Sequence, residues 1–445
     1  MAVCRLFATG SHRRLFATGS HRRLFADTTP LRTPDFRRLW LAGIVTVIGG
    51  NLTIFAVPVQ LYALTRSSAY VGLAGLFALA PLIVFGLLGG AWADAMDRRT
   101  LLIITSCGLA VASVLLWVQA AMSLNNIWVV LVLLAIQQSF YAVNWPTRGA
   151  AIPRLLPIDQ LPSANSLNMT VQQFGAIAGP LLAGVLLRWV DLSTLYLLDA
   201  VMCIAPIWAT VRLRPMPVTD PTGAQGTNRW GFGAVFEGFR YLAGNQVVLM
   251  SFVVDIIAMV FGMPRALFPQ MAHESFGGPV EGGTTMALLA AAISVGAVGG
   301  GVFSGWLPRI RRQGRAVVAA ILVWGLAIAG FGAAAGLAGG RGGPMLWIAL
   351  ALLAIGGAAD MVSSAFRSTI LQEVASDDLR GRLQGVFIVV VGGGPRLADT
   401  VHGVAAAALG TTVAAAGGGV LVIVGVLLAV LVAPAFLRYR PVADE

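Results

Sequence analysis

Apolar residues recur along the chain in twelve stretches, at roughly 39–64, 71–93, 100–122, 127–147, 166–187 and 192–211, then 247–271, 284–306, 316–338, 345–366, 384–408 and 411–436. Each approaches or exceeds the ~20 residues that carry an α-helix across the hydrocarbon of a bilayer. Between the sixth and seventh lies a polar, Pro- and Gly-containing segment from Pro215 to Asn228. Phe232, Val235, Phe236, Phe239 and Leu242 follow it at a spacing that predicts an amphipathic helix lying in the membrane interface. The pattern predicts an all-α integral membrane protein with twelve transmembrane helices in two pseudo-symmetric six-helix bundles. Its expected divisions are a basic cytoplasmic tail (1–34), an N-terminal bundle (35–212), a cytoplasmic linker (213–246), a C-terminal bundle (247–437) and a cytoplasmic tail (438–445).

Composition sharpens this reading. The chain is 57% hydrophobic and 11% charged, against about 25% charged in soluble domains. All 30 basic residues are arginine, a bias with no physical consequence at a membrane surface, so the net charge of +11 does not point to nucleic acid. Cys4, Cys107 and Cys203 have neither the pairing nor the spacing of a disulfide framework or a zinc site. Residues 5–13, RLFATGSHR, recur unchanged at 14–22, and a third copy breaks off at Asp27. This tandem reads either as a disordered basic tail, or an upstream start, or as an arginine-rich segment attracted to anionic headgroups.

Orientation follows from the excess of Lys and Arg in cytoplasmic loops. With the N-terminus inside, 25 arginines fall inside; Arg66, Arg188 and Arg341 fall outside, and Arg265 and Arg396 lie within spans. Both termini are therefore expected in the cytoplasm, with the protein in the cytoplasmic membrane. The halves resemble each other weakly: the stretch from Arg148 to Asp159 after span 4 lines up with Arg367 to Asp378 after span 10, and Gly179-Pro180 with Gly394-Pro395. Duplicated halves with a substrate site between them characterise many secondary transporters. No Walker loop is present, so ATP is not the expected energy source.

The most specific motif is Gly89-Gly90-Ala-Trp-Ala-Asp94-Ala-Met-Asp97-Arg98-Arg99, between spans 2 and 3. Glycine lets helix ends approach, the acid meets a helix N-terminus, and the arginines lie at the headgroups. It resembles the loop 2–3 signature of the major facilitator superfamily, although Asp97 stands where that signature has its second glycine. The resemblance implies a conformational latch at Gly90, Asp94, Arg98 and Arg99. Span 5 carries Gly175, Gly179, Pro180 and Gly184, a small-residue stripe that permits close helix packing and that is similar to the GxxxGP element of superfamily exporters. Ala56-Val-Pro-Val-Gln60, Pro153-Arg-Leu-Leu-Pro157, Glu237-Gly-Phe-Arg-Tyr-Leu242 and Arg380-Gly-Arg382 extend the resemblance to the branch of siderophore exporters and multidrug pumps. What it implies is a major facilitator fold and a secondary active exporter.

Ionisable residues at membrane depth are costly and mark function or a partner. They are Asp199, Asp255, Arg265, Asp360, Arg396, Asp399 and His402. Arg396, Asp399 and His402, at i, i+3 and i+6 after Gly392-Gly393-Gly394-Pro395, read as a proton-exchanging group, a static ion pair or a substrate contact. Asp360 shares a helix face with Arg367. Asp255 has no cation at i±3 or i±4 and reads as a protonatable carboxylate or an interhelical hydrogen-bonding group. Asp255, Asp360, Arg396, Asp399 and His402 are thus the proton-coupling candidates. Asn51, Gln60, Phe77, Gln137, Tyr141, Asn144 and Trp145 are the substrate-cavity candidates, with helix packing as their alternative role. Donors mixed with aromatics suit a bulky amphipathic ligand.

The expected function is proton-coupled export of a small, siderophore-like molecule. Broad multidrug efflux, and a non-transporting receptor or scaffold, stand as alternatives. Small molecule, protons and lipid bilayer are the expected partners of a monomer. No enzyme activity, cofactor, metal or nucleic acid is expected, since no nucleophile–base pair, metal cluster or cofactor loop emerges from the chain.

Overall fold

Short connectors with specific backbone demands separate the long helices. Arg66, Ser123 and Asn125 take positive φ in the turns after the first and third helices, and Gly410, at φ +85°, turns the eleventh into the twelfth. Ser67, Asp97 and Asn126 cap the helices that follow them, accepting from the amides of Ala69, Thr100 and Trp128, which are otherwise left without partners in a first helical turn. The computed structural model describes residues 27–217, 246–374 and 392–439. The nonapeptide tandem, the stretch 232–242 expected to be amphipathic, and residues 375–391, which include the first residues of the expected eleventh span, lie outside the described residues.

The helices are α1 (Pro34–Thr65), α2 (Ser68–Ala95), α3 (Arg98–Ala121), α4 (Ile127–Leu155) and α5 (Leu161–Leu186). Next come α6 (Leu192–Val211) and α7 (Gln246–Glu274), each interrupted once. Then follow α8 (Thr284–Val302), α9 (Gln313–Leu337), α10 (Pro344–Val374), α11 (Gly393–Leu409) and α12 (Thr411–Val432). Among the described residues, 11 helices are long and apolar enough to span a membrane. The remaining one, α11, has 17 described residues and occupies the place of the expected eleventh span. The interruption in α6 falls at Cys203. That in α7 falls at Met263-Pro264, where proline cannot donate its backbone bond and a 3-10 turn, Arg265–Leu267, takes over.

Two boundaries differ usefully from the sequence pattern. Helices α4 and α10 run about two turns beyond the expected ends at 147 and 366. Past Pro153, Leu155 and Leu156 still bury against Phe36, Leu39, Leu102 and Leu213, and this burial outweighs the bond lost to the proline. Arg148 and Arg367, assigned to loops by sequence, therefore lie inside helices.

Helices α1–α6 form one bundle and α7–α12 the other. They meet along two helix pairs, α2 with α11 and α5 with α8. Glycine makes both contacts close. A Cβ on Gly72 would lie 2.6 Å from the Asp399 carbonyl and 2.8 Å from the Cα of Gly403, and one on Gly184 would lie 2.8 Å from the Gly283 carbonyl. The alternating helix directions place the start of α1, the end of α6, the start of α7 and the end of α12 on one face, called here the terminal face.

Glycine also sets packing inside the bundles. A Cβ at Gly296 of α8 would run into the Ala354 carbonyl of α10, whereas one at Gly299 meets nothing within 4 Å. Gly296→Val is expected to lower stability by about 1–3 kcal/mol and Gly299→Val to leave it nearly unchanged, as read by thermal unfolding in detergent.

Candidate transport site

On α4, Gln138, Tyr141 and Trp145 fall at i, i+3 and i+7 and share one stripe. Gln138 reaches across to the other bundle, accepting from the Arg396 guanidinium at 2.8 Å. The stripe therefore faces the cleft between the bundles, where Tyr141 and Trp145 are 40% and 52% exposed and stack tilted at 6.1 Å. Arg396 also donates to the Gly392 carbonyl at 2.9 Å. Gln138 lies 11 residues into α4 from the face opposite the termini, about 16 Å deep at 1.5 Å per residue. An arginine beside two aromatic rings near mid-depth can hold an anionic or polar aromatic molecule by charge, hydrogen bonds and ring contact.

Beyond this level, toward the face opposite the termini, the bundles are tied together. Tyr62 donates to Glu274 at 2.9 Å, and Gln270 donates to the same carboxylate. Ser68 donates to Gln270 at 2.7 Å, Arg188 to Thr284 at 2.7 Å, and Thr400 to the Gly72 carbonyl at 3.1 Å. Among the described residues, no hydrogen bond joins the bundles between the Gln138–Arg396 level and the terminal face. There Ile158 and Phe303 are 85% and 78% exposed.

The proton-coupling candidates separate into three environments. Asp399 pairs with Arg265 of α7 at 3.3 Å, while Arg396, three residues before it, is turned to Gln138. The cation partnering Asp399 thus comes from another helix. His402 is buried, its Nδ1 3.0 Å from the Ala398 carbonyl, and its ring is wedged near Gly418 of α12. The three side chains expected to act together do not meet. Asp255, whose own helix offers no cation, is ion-paired with Arg367 of α10, which also lies 3.7 Å from Asp360. Its apparent isolation in sequence is corrected by this interhelical partner, and the shared face of Asp360 and Arg367 is observed.

Most of the cavity candidates from sequence are taken up inside the N-terminal bundle. Gln60 is buried and bonded to Gln119 and Tyr196. Gln137 donates to Ser113 at 3.2 Å, and Asn144 to Thr105 at 2.8 Å. Asn51 donates to the Val47 carbonyl and is covered by α5, where a Cβ on Gly179 would collide with it. Phe77 stacks on Trp128, with centroids 6.3 Å apart. Gly175 and Gly179 pack against α1, and Gly184 against α8; the glycine and proline stripe thus joins α5 to its own bundle and to the other.

In the loop 2–3 motif, Gly90 and Asp94 lie in α2, with their side-chain positions outside the described residues. Arg99 donates to the Val211 carbonyl at the end of α6 at 2.7 Å, and Arg98 is the first residue of α3. Asp97, read from sequence only as a departure from the motif, caps α3 and accepts from the Met216 amide at 2.8 Å. Burial acts to raise its pKa, but these amides and the Thr100 hydroxyl outweigh burial and hold the carboxyl below its ordinary range. Sequence reasoning also missed Gln138 and the buried arginines. Arg148 extends to the Leu39 carbonyl over Gly43 of α1. The sequence signal for Arg148 was its alignment with Arg367 between the two halves, and Arg367 carried in addition its shared face with Asp360.

Residues 26–437 match the family of transmembrane secretion effectors, a branch of the major facilitator superfamily, and the chain belongs to it. The class is that of membrane transporters rather than enzymes. Among similar curated proteins, the enterobactin exporter EntS of Salmonella typhi is 26% identical over 422 residues, covering 92% of this chain and 96% of that protein. The EntS of Shigella boydii serotype 18 is 27% identical over 414 residues, covering 92% and 94%. Among solved structures, the nucleoside transporter NupG superposes with a TM-score of 0.70 at 14% identity, covering 91% of this chain and 98% of that one. A bacterial homologue of the iron transporter ferroportin, in an inward-facing state, gives 0.66 at 16% identity, covering 91% and 99%. These superpositions share the two-bundle fold.

Breaking a buried ion pair by removing one partner costs about 3–5 kcal/mol, because the other charge is left uncompensated. Arg367→Met is therefore expected to lower thermal stability by that amount, and adding Asp255→Asn to recover most of the loss. An equal loss in both variants would show that the cluster does not carry its charge in this arrangement.

Proposed function

We propose that the protein exports a small, amphipathic, siderophore-like molecule outward across the cytoplasmic membrane, exchanging it for protons by alternating access. The observation that carries this reading is the cleft stripe Gln138, Tyr141 and Trp145 facing Arg396, in a chain that matches enterobactin exporters over 92% of its length. A guanidinium beside aromatic faces suits a catecholate better than it suits a cationic drug, which it would repel.

Orientation follows the arginines. Among the described residues, with Arg148 and Arg367 set aside inside the helices, 13 arginines fall at the terminal face and 3 at the other, an excess that argues for a cytoplasmic terminal face and both termini inside. On this reading the tied end is the outer one, and cargo loads into the cleft from the cytoplasm. Protonating Asp399 would loosen Arg265, and protonating Asp255 or Asp360 would free Arg367. Each such change shifts which arrangement of helices is cheapest. Asp94, with Gly90, Arg98 and Arg99, latches the cytoplasmic side when it closes. A membrane potential of 100 mV supplies about 2.3 kcal/mol per charge moved, enough for a useful gradient with one or two protons. One monomer contains the whole path.

Mass spectrometry of medium and cell extracts from an iron-limited deletion strain and its complemented control tests this directly. One iron-binding metabolite is expected to disappear from the medium and build up in the cells, and an uncoupler at constant ATP is expected to reproduce the effect. An unchanged profile with retention of many unrelated drugs would replace this reading with multidrug efflux.

A further inference from the structure

Thr46, Thr53 and Gln60 lie seven apart on α1, two helical turns or about 10.5 Å per step, and so share one face. The three helices packed around that face repeat the spacing. Ser106 and Ser113 lie seven apart on α3, Gln137 and Asn144 on α4, and Cys203 and Thr210 on α6. These positions stack into polar layers inside the N-terminal bundle.

The layer nearest the opposite face is closed by hydrogen bonds. The amides of Gln60 and Gln119 exchange bonds at 3.1 Å, and Tyr196 donates to Gln60 at 2.8 Å. The layer nearest the terminal face borders a cavity the size of one water molecule whose wall is mostly apolar, with Thr46, Ser106, Asn144, Arg148, Cys203 and Thr210 supplying the polar groups a water there would bond.

Between them sits Asp199, 3% exposed. Its Oδ2 accepts from Thr53 at 2.6 Å and Ser113 at 2.8 Å, with the Gln137 amide at 3.5 Å. Asp255, Asp360 and Asp399 each have an arginine; among the described residues, Asp199 has none. The groups facing it are Thr53 and Gly49 of α1, Ser113 of α3 and Gln137 of α4. On α6 they are the Cys203 thiol and, one turn earlier, Tyr196. Arg148 is the charge across the cavity.

This chemistry accommodates a proton. Threonine and serine hydroxyls donate to a carboxylate and, on rotating, accept from a carboxylic acid, so both protonation states find partners without any movement of charge. An ionised carboxylate in apolar surroundings without a cation is costly, and a proton is the smallest ligand that removes the charge. Cys203 both lines the cavity and adjoins Asp199 and Ser113, connecting the water site to the carboxyl.

We propose that Asp199 is a proton-binding site within the N-terminal bundle, reached from the terminal face through the layer of Thr46, Ser106, Asn144 and Cys203 and bypassing the cleft between the bundles. The step is a proton transfer: a hydronium ion reaching the cavity gives up one O–H bond and leaves as water, one O–H bond forms on the Asp199 carboxylate, and no other bond changes. A function in export rests on the transport reading above, but the binding does not. A site here can answer to the bilayer's pH difference while cargo fills the cleft. It can act on α1 directly, since a Cβ on Gly49 would lie 2.7 Å from the other carboxylate oxygen. The opposite side of α1 carries the α5 stripe that meets the second bundle.

The test uses full-length protein in lipid nanodiscs and infrared difference spectra recorded across a pH titration, with protons as the only added ligand. The wild type is expected to show a protonated-carboxyl band that Asp255→Asn retains and Asp199→Asn loses. Thr53→Val with Ser113→Ala keeps the acid. If Asp199→Asn fails to fold, this variant decides the matter: the band is expected to change frequency and its midpoint to move by about one pH unit or more. A band that persists in Asp199→Asn, or that is indifferent to loss of both hydroxyls, would overturn the site. Because no cargo is present, a failed export assay leaves this result intact, and a failed titration leaves export intact.

Discussion

Placing an ionised group in hydrocarbon is the constraint around which this molecule is arranged, and its two halves meet it differently. The C-terminal bundle brings arginines to its acids from neighbouring helices, Arg367 to Asp255 and Asp360, and Arg265 to Asp399. The N-terminal bundle surrounds its one described buried acid with hydroxyls and amides and keeps its arginine, Arg148, on a backbone carbonyl. Ion pairs lock geometry strongly and resist rearrangement, whereas neutral rotors permit a change of charge at little structural cost. One fold, duplicated, thus holds its acids by ion pairs in one half and by neutral hydrogen bonds in the other.

Close approach between the halves depends on the absence of side chains. Gly72, Gly403 and Gly184 allow α2 to meet α11 and α5 to meet α8 at backbone distance. The bonds that supplement these contacts, from Tyr62, Ser68, Arg188 and Thr400, are few and mostly between neutral groups or single charges. Net contributions of about 0.5–1.5 kcal/mol per neutral bond make such a seal strong enough to populate one state and weak enough to open. The aromatic and arginine stripe lies just inside it.

Much of this was legible in the sequence. Helix count follows from apolar length, and the family follows from the loop 2–3 motif and the span 5 glycines, because those features are local. What was not legible depended on partners distant in sequence. Asp255 looked isolated because its cation lies 112 residues away, at Arg367. Arg396, Asp399 and His402 looked like one unit because they share a helix, but Gln138, Arg265 and the α12 surface each claim one of them. Gln60, Gln137 and Asn144 were read as cavity-lining when their partners lie within their own bundle. Gln138, one residue from a candidate, points the other way. A regularity was available and passed over: the seven-residue spacing of Thr46, Thr53 and Gln60 marks a buried polar face on an apolar helix.

The central claim is that the two bundles alternate, with the end opposite the termini closed in the resting state. Pulsed electron resonance on spin-labelled Arg66→Cys with Glu281→Cys at that end, and Ile158→Cys with Phe303→Cys at the terminal face, in a background lacking the native cysteines, measures it most directly. The account predicts a short, narrow distance at the first pair and a long one at the second at rest. Under cargo and an imposed pH difference, a second population reverses the two. Distances that stay fixed at both ends under every condition, or that lengthen and shorten together, would contradict it.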